Sequence, residues 1–483
     1  MNRIFILSLL LFLEFGSAQE RLTPEVTLTK QPLLVLPAKG GDDPESIDAK
    51  VTAIVASKAT ELKRFEVIDR NHLEQLLKEQ AIQMSGIVDD QSLVKFGKVA
   101  SAPEALIVRV LNFGQKGVPP EDEKEEDRKD RKVARKAGLL GIIAKQVVDA
   151  AVDKATKDVE RYPNNIQTIL QAEVRKVDVE TGKSIASFTI NAGYTGGNKK
   201  ASLAKTLMQV GRQVSNQLRE MYLLTSEVLD VRGNEVMLLL GQEMGVQKGT
   251  VFEIASPEVK KILRDREITI PGRTVGIVRV TELSKDANRG RVLRKWDRIE
   301  PGYRAVESTR RIGSIDLQGF YSNNVPAYTL QAQLDIAPLD RISGAAHFNL
   351  GTVRDSRDDT DFRMGFGLSL QYKPIHTSSS ALAAMITLPI NLIIRSDDQY
   401  NSVALPVFSP EIGARTTVML GPERDLILSV SYVFANVTGS WKYSKENDEG
   451  DTDTFPAVWK RRPAPEIDLR GLYFSVGMRF LSF

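Results

Sequence analysis

Phe362-Arg363-Met364-Gly365-Phe366-Gly367-Leu368-Ser369-Leu370-Gln371-Tyr372 alternates without a break. One set is Phe, Met, Phe, Leu, Leu and Tyr; the other is Arg, Gly, Gly, Ser and Gln. A period of two sends successive side chains to opposite faces of a β-strand. The alternation recurs in residues 327–336, where Tyr328, Leu330, Ala332, Leu334 and Ile336 interleave with Thr329, Gln331, Gln333 and Asp335. To varying degrees it runs through 312–321, 342–350, 382–394, 408–420, 426–437 and 469–480. Eight such strands of about 9–13 residues have the length needed to cross a bilayer at a tilt, and an even number returns the chain to its starting side.

The connections are unequal. Residues 338–341, 373–380 and 421–424 would be short inward turns. The outward loops 352–361, 396–405 and 438–467 are longer, polar and mostly acidic; only 322–326 is short. That asymmetry predicts a C-terminal eight-stranded antiparallel transmembrane β-barrel over 311–483. Its polar face carries Asp316, Asp335 and Glu411 against Arg363, Arg415 and Arg479. Matched charges imply a lumen closed by ion pairs, in a barrel just wide enough to be filled by side chains. The final strand ends on aromatics, Phe480 and Phe483, which resemble the assembly signal of outer-membrane barrels. Periodicity alone leaves a rival open, a soluble barrel or sandwich with the apolar face inside.

The N-terminus favours the membrane. In MNRIFILSLLLFLEFGSAQE, Arg3 precedes an apolar run at 4–13 and the small residues Gly16-Ser17-Ala18, which predicts a signal peptide over 1–18. Cysteine is absent, which excludes disulfides, cysteine nucleophiles, thiolate metal sites and a lipidated cysteine. After the leader there is no run of about 18 apolar residues, so a barrel is the remaining integral anchor. The expected location is the outer membrane, in contact with its lipid, with the N-terminal domains in the periplasm. A net charge of +3 from 65 basic and 62 acidic residues gives no global field for nucleic acid.

Residues 27–223 alternate helix and strand. Leu33-Leu34-Val35-Leu36, 65–68 and 105–113 read as strands, 171–178 and 184–192 as a hairpin, and 47–63 as a helix. Asn71 with Glu74 forms a capping box, Asp90 caps a further short helix, and Leu203, Leu207, Val210, Val214 and Leu218 stripe a closing helix. The run Phe65-Glu66-Val67-Ile68-Asp69-Arg70-Asn71-His72-Leu73-Glu74-Gln75-Leu76-Leu77-Lys78-Glu79-Gln80, then Ser85-Gly86, 93–97 and 105–108, resembles the CsgG-like family, whose relatives include the penicillin-binding-protein activator LpoB. The resemblance covers 33–221 and implies an α/β layer fold that forms rings or scaffolds. The family's shared pore does not carry over. Twelve consecutive charged residues, 121–132, stand where its first membrane hairpin would be, inside an insertion at 114–163. Within that insertion Leu139, Leu140, Ile143, Val147 and Ala150 make a helical stripe, read either as packed on its own domain or as a membrane-surface or partner helix.

Residues 224–307 resemble the SH3-like C-terminal module of the flagellar protein FlgT, through the 228–238 hairpin with Gly233-Asn234 at its turn, 245–254, 276–280 and 298–303. The fold class expected is therefore multidomain: a CsgG-like α/β layer domain, a small SH3-like β module and the barrel.

Motifs for chemistry are missing. His72, His347 and His376 lie in separate segments without metal-ligand spacing. Residues 193–200 lack the Gly-Lys-Ser/Thr core of a phosphate loop and read as a turn into a helix. The acids at 355–361 and 448–453 miss EF-hand spacing and read as solvated loops, with weak calcium binding as the alternative. No catalytic, metal or cofactor site is expected. The chain reads as a non-enzymatic envelope scaffold or assembly factor that binds periplasmic proteins, such as peptidoglycan-synthesis or secretion machinery, or copies of itself. The alternative is an oligomeric ring in a curli-type secretion path.

Overall fold

The computed structural model describes residues 20–21, 26–37, 46–68, 101–119, 161–263, 266–310, 312–322, 327–397, 401–446, 452–459 and 463–482. The leader, the Asn71 capping box with His72, the charged run with its following stripe, and Phe483 lie outside these residues.

A two-residue strand, β1 (Glu20–Arg21), precedes the first unit. There β2 (Gln31–Pro37), β3 (Phe65–Ile68), β4 (Glu104–Gly117), β5 (Ile166–Asp178) and β6 (Ser184–Thr195) form a sheet in the order β3-β2-β4-β5-β6. Strand β2 pairs parallel with β3 and β4, and the remaining pairs are antiparallel. Helix α1 (Ile47–Glu61) begins at Ser46, whose hydroxyl accepts the Ala49 amide at 3.2 Å. Helix α2 (Lys199–Met221) begins at Asn198, which accepts the Ala201 amide at 2.9 Å, so the glycine-rich 193–197 segment is a turn into a helix. Val51, Val55 and Ala59 of α1 and Val210, Val214 and Leu218 of α2 share one buried cluster with Leu33, Leu106, Leu170 and Phe188. Both helices therefore cover the same face of the sheet.

Next comes a small closed barrel, ordered β12-β13-β8-β7-β14-β9. Its strands are β7 (Thr225–Arg232), β8 (Glu235–Leu238), β9 (Val251–Ala255), β12 (Thr274–Glu282), β13 (Asn288–Lys295) and β14 (Arg304–Ser308). A side hairpin of β10 (Val259–Leu263) and β11 (Arg266–Ile270) pairs with β1.

A second, larger barrel closes through β15 (Gly313–Ser322), β16 (Ala327–Asp335), β17 (Ile342–Arg354), β18 (Thr360–His376), β19 (Ser380–Asp397), β21 (Glu411–Gly421), β22 (Arg424–Val433) and β26 (Gly471–Ser482), with β15 paired to both β16 and β26. All eight strands are antiparallel to their neighbours, as the alternation predicts. Their apolar residues point outward: Leu330 is 73% exposed, Leu368 67%, Phe366 64% and Ile390 63%. The rival arrangement, apolar face inside, is not the one found.

Two expectations change. Much of the 396–405 loop is strand β20 (Asn401–Phe408), which runs along β19 in line with β21. The 438–467 loop contributes β23 (Val437–Thr438) and the hairpin β24 (Lys442–Glu446)–β25 (Thr452–Pro456), joined to β20. Buried Val403, Leu405 and Val407 pack with Trp441 and Ile467, and this burial holds the outward segments in regular structure.

Candidate functional site

The lumen of the large barrel gathers all six charged residues expected there. Asp316 is its hub. Arg479 Nε and Nη2 donate to Asp316 Oδ1 and Oδ2, each at 2.8 Å, a two-pronged contact that fits the planar guanidinium. Arg415 Nη1 donates to Asp316 Oδ2 at 3.0 Å, and its Nη2 donates to Gln333 Oε1 at 2.9 Å. Asp335 lies 3.5 Å from Arg479 Nη2 and accepts from Ser343 Oγ at 3.2 Å. Two buried carboxylates thus face two buried guanidiniums. Toward the loop end, Arg363 Nε donates to Asn391 Oδ1 at 2.9 Å, and Glu411 accepts from Ser431 Oγ at 3.0 Å.

Little space is left. Around His347, Asn349, Arg363 and Glu411 the free cavity is about 20 Å³, on the scale of a water or two. Gly367 makes this filling feasible, since a Cβ there would sit 2.3 Å from His347 Cε1.

At the loop end the described residues pack across the lumen. Trp441 Nε1 donates to the Pro465 carbonyl at 2.9 Å, and its ring belongs to the buried cluster of Phe320, Val353 and Tyr473. Beside it Arg395 donates to both oxygens of Asp361, at 2.6 and 2.7 Å, and to Asp355 Oδ2 at 2.5 Å. Burial pushes the Asp355 carboxyl up, but Arg395 and the amides of Arg357 and Asp359 outweigh it and hold the group below the usual carboxylate range. Asp355 and Asp361 are therefore members of an ion cluster, a correction to their reading as solvated loop acids.

At the turn end the small barrel covers the opening. Arg294, on β13, donates to the carbonyls of Gly421 (2.6 Å), Pro422 (2.7 Å) and Arg424 (3.3 Å), and its Nη2 lies 2.7 Å from Asp425 Oδ1. Both side chains are buried. Asp425 faces Arg479 across the β22–β26 ladder, so opposite charges alternate from Arg294 through Asp425 and Arg479 to Asp316 and Arg415. Around this line Arg279 pairs with Asp340, Arg291 donates to the His376 carbonyl at 3.0 Å, and Ile277 and Leu293 pack on Leu339 and Leu481.

The small barrel is gripped from the other side too. Arg64 Nη2 lies 2.6 Å from Glu307 Oε2, and both side chains are buried. Burial lowers the Arg64 guanidinium from its usual range, with Glu307 opposing the shift. Glu307 also accepts the Leu224 amide at 3.2 Å. Gly245 adopts φ +83°, and a Cβ there would lie 1.9 Å from the Leu62 carbonyl oxygen.

Several members of these networks carry no sequence expectation: Arg294, Asp425, Arg395, Arg64 and Glu307. Lys373 was expected in a turn, yet it extends β18 inward and donates to the carbonyls of Pro338 and Asp340, both at 2.8 Å. The signal for Lys373 and Asp425 is one more step of alternation past Tyr372 and before Leu426. Arg294 and Arg64 have no local signal, because their partners belong to other modules. Among the described residues no group of three or more His, Cys, Asp or Glu side chains is arranged to hold a metal, and no helix is long and apolar enough to cross a membrane.

No family model matches the sequence, and no curated protein matches it. Similar solved structures include a major outer membrane protein from Thermus thermophilus, 12% identical with a TM-score of 0.25, covering 36% of this chain and 100% of that one. The lipoprotein GNA1162 from Neisseria meningitidis is 17% identical with a TM-score of 0.22, covering 40% of this chain and 99% of that one. The PelC dodecamer from Paraburkholderia phytofirmans is 10% identical with a TM-score of 0.20, covering 41% of this chain and 92% of that one. The first of these is an outer membrane protein and the second a lipoprotein, and what this chain has for itself is a closed, eight-stranded, charge-filled barrel.

Proposed function

We propose that this chain is a non-enzymatic outer-membrane protein whose large barrel anchors a periplasmic scaffold or assembly domain. One observation carries the reading. The large barrel turns its ion pairs inward and a continuous apolar surface outward. Soluble monomers rarely expose contiguous apolar patches beyond a few hundred Å², and a closed barrel is the β-architecture that leaves no backbone group unpaired in lipid. The leader-like N-terminus supports export. The small barrel abuts the short turns, which face the periplasm in barrels of this class. The N-terminal unit, through its resemblance to the CsgG-like family, would then bind cell-wall or secretion machinery or associate with itself.

Extraction of the full chain from outer membranes tests the anchor: a heat-modifiable band on gels is expected, and recovery in the soluble periplasmic fraction would overturn it. The role as a transport ring is disfavoured by the side chains that fill the lumen and by the packing of the described residues at its loop end. Large conductance steps from the purified protein in planar bilayers would reverse that preference. Crosslinking in intact cells identifies the trapped partner.

A further inference from the structure

Between the small barrel and the turn end of the large one lies a cavity of about 190 Å³, lined among others by Arg279, Arg291, Leu339, Asp340, Arg341 and His376. Three guanidiniums meet a single carboxylate in this lining. Asp340 is committed to Arg279, so the lining keeps a positive excess. The volume accommodates a phosphate group, being several times that of a water.

The surroundings specify the ligand further. Arg341 precedes Ile342 in the chain, and His376 follows Ile375. Ile342 is 62% exposed, and its ladder partner Tyr372 is 51% exposed. Ile375 and its partner Leu382 are exposed likewise. A cationic cavity therefore sits at the foot of an apolar strip on the outer surface of β17–β19. A free anion would use only the first feature; an amphiphile uses both.

We infer that the cavity seats the phosphate of an anionic glycerophospholipid, with its acyl chains along Ile342, Tyr372, Ile375 and Leu382. The inference rests on the large barrel spanning a membrane. Arginine suits this task, since its forked donors match phosphate oxygens, and a lipid held there would bridge the two barrels.

The test uses the full chain in mixed micelles of phosphatidylglycerol and phosphatidylcholine, with bound lipid counted by native mass spectrometry. Selective retention of phosphatidylglycerol is expected, falling at least about tenfold in the Arg291→Gln/Arg341→Gln double variant as charge-assisted contacts are lost. Equal retention of both lipids, or a variant that retains lipid as well as the parent, would sink the proposal. Inorganic phosphate is titrated in parallel; tight phosphate binding without lipid selectivity would assign the cavity to a free anion and overturn it. Heat-modifiability is scored on the same samples. Its loss in the parent chain refutes the membrane reading, whereas its retention without bound lipid refutes only the lipid site. If the double variant alone loses it, the exposed Arg341→Gln change is scored instead, with the same outcomes.

Discussion

Two closed antiparallel barrels stand in one chain with opposite interiors. The small one is filled by Val228, Val236, Phe252, Ile254, Val278 and Val292, while Glu235 and Arg289 face out. The large one is filled by Asp316, Gln333, Asn391, Arg415 and Arg479, while Leu330, Phe366, Leu368 and Ile390 face out. Both are written in the same period of two, and both satisfy their ladders by closing. What differs is the medium each is built for. In the small barrel, burial of apolar area drives folding, at about 25 cal/mol per Å². That term reaches the large barrel's interior only at buried residues such as Phe320, Met385, Ile393 and Ile427, so the rest of the lumen depends on matching charges and hydrogen bonds.

The sharpest way to break the comparison is to unbalance the lumen. Asp316→Ala removes the carboxylate that Arg415 and Arg479 both touch, leaving Asp335 at 3.5 Å from Arg479, and removing one partner of a buried ion pair costs about 3–5 kcal/mol. A lower urea midpoint for the heat-modifiable band is expected; an unchanged midpoint would mean the charges do not hold the lumen. The matching deletion in the small barrel, Phe252→Ala, also costs about 3–5 kcal/mol, through a cavity. It should destabilise the small barrel, read by limited proteolysis, and leave the large barrel's band in place. Next comes the outer surface. Leu368→Arg, in the middle of β18, should cost about 2–4 kcal/mol in folding yield into vesicles if that position faces the bilayer centre. The same change at the outward Leu229 of the small barrel should stay within about 0.5 kcal/mol. Equal effects would abolish the contrast.

The large barrel is legible in sequence because alternation sustained over a strand's length has one backbone solution, and its polar set then lists the lumen. Asp316, Asp335 and Arg479 could be paired with a face from the pattern, though not with one another. Legibility fails where alternation is short or its partner is remote. Residues 401–405 read as part of a loop because only Val403, Leu405 and Val407 alternate in this stretch, and what buries them is Trp441 and Ile467. Lys373 was lost to the turn signal of Pro374. Arg294 is the extreme case: its partners are carbonyls and a carboxylate more than a hundred residues away.

That distance makes Arg294 the means of asking whether the two barrels act as one body. Arg294→Gln removes contacts to Gly421, Pro422, Arg424 and Asp425. Asp425 still faces Arg479, so the loss should be smaller than for Asp316→Ala, about 1.5–3 kcal/mol as for hydrogen bonds to a charged group. Trp296 packs at this junction, beside Ile277 and Leu293. In the variant its environment should change at lower urea than the loss of the large barrel's band, and proteases should cut between β14 and β15. If both still report a single shared transition, the apolar patch of Ile277, Leu293, Leu339 and Leu481 couples the barrels by itself. The line of charges would then belong to the lumen alone and end at Asp425.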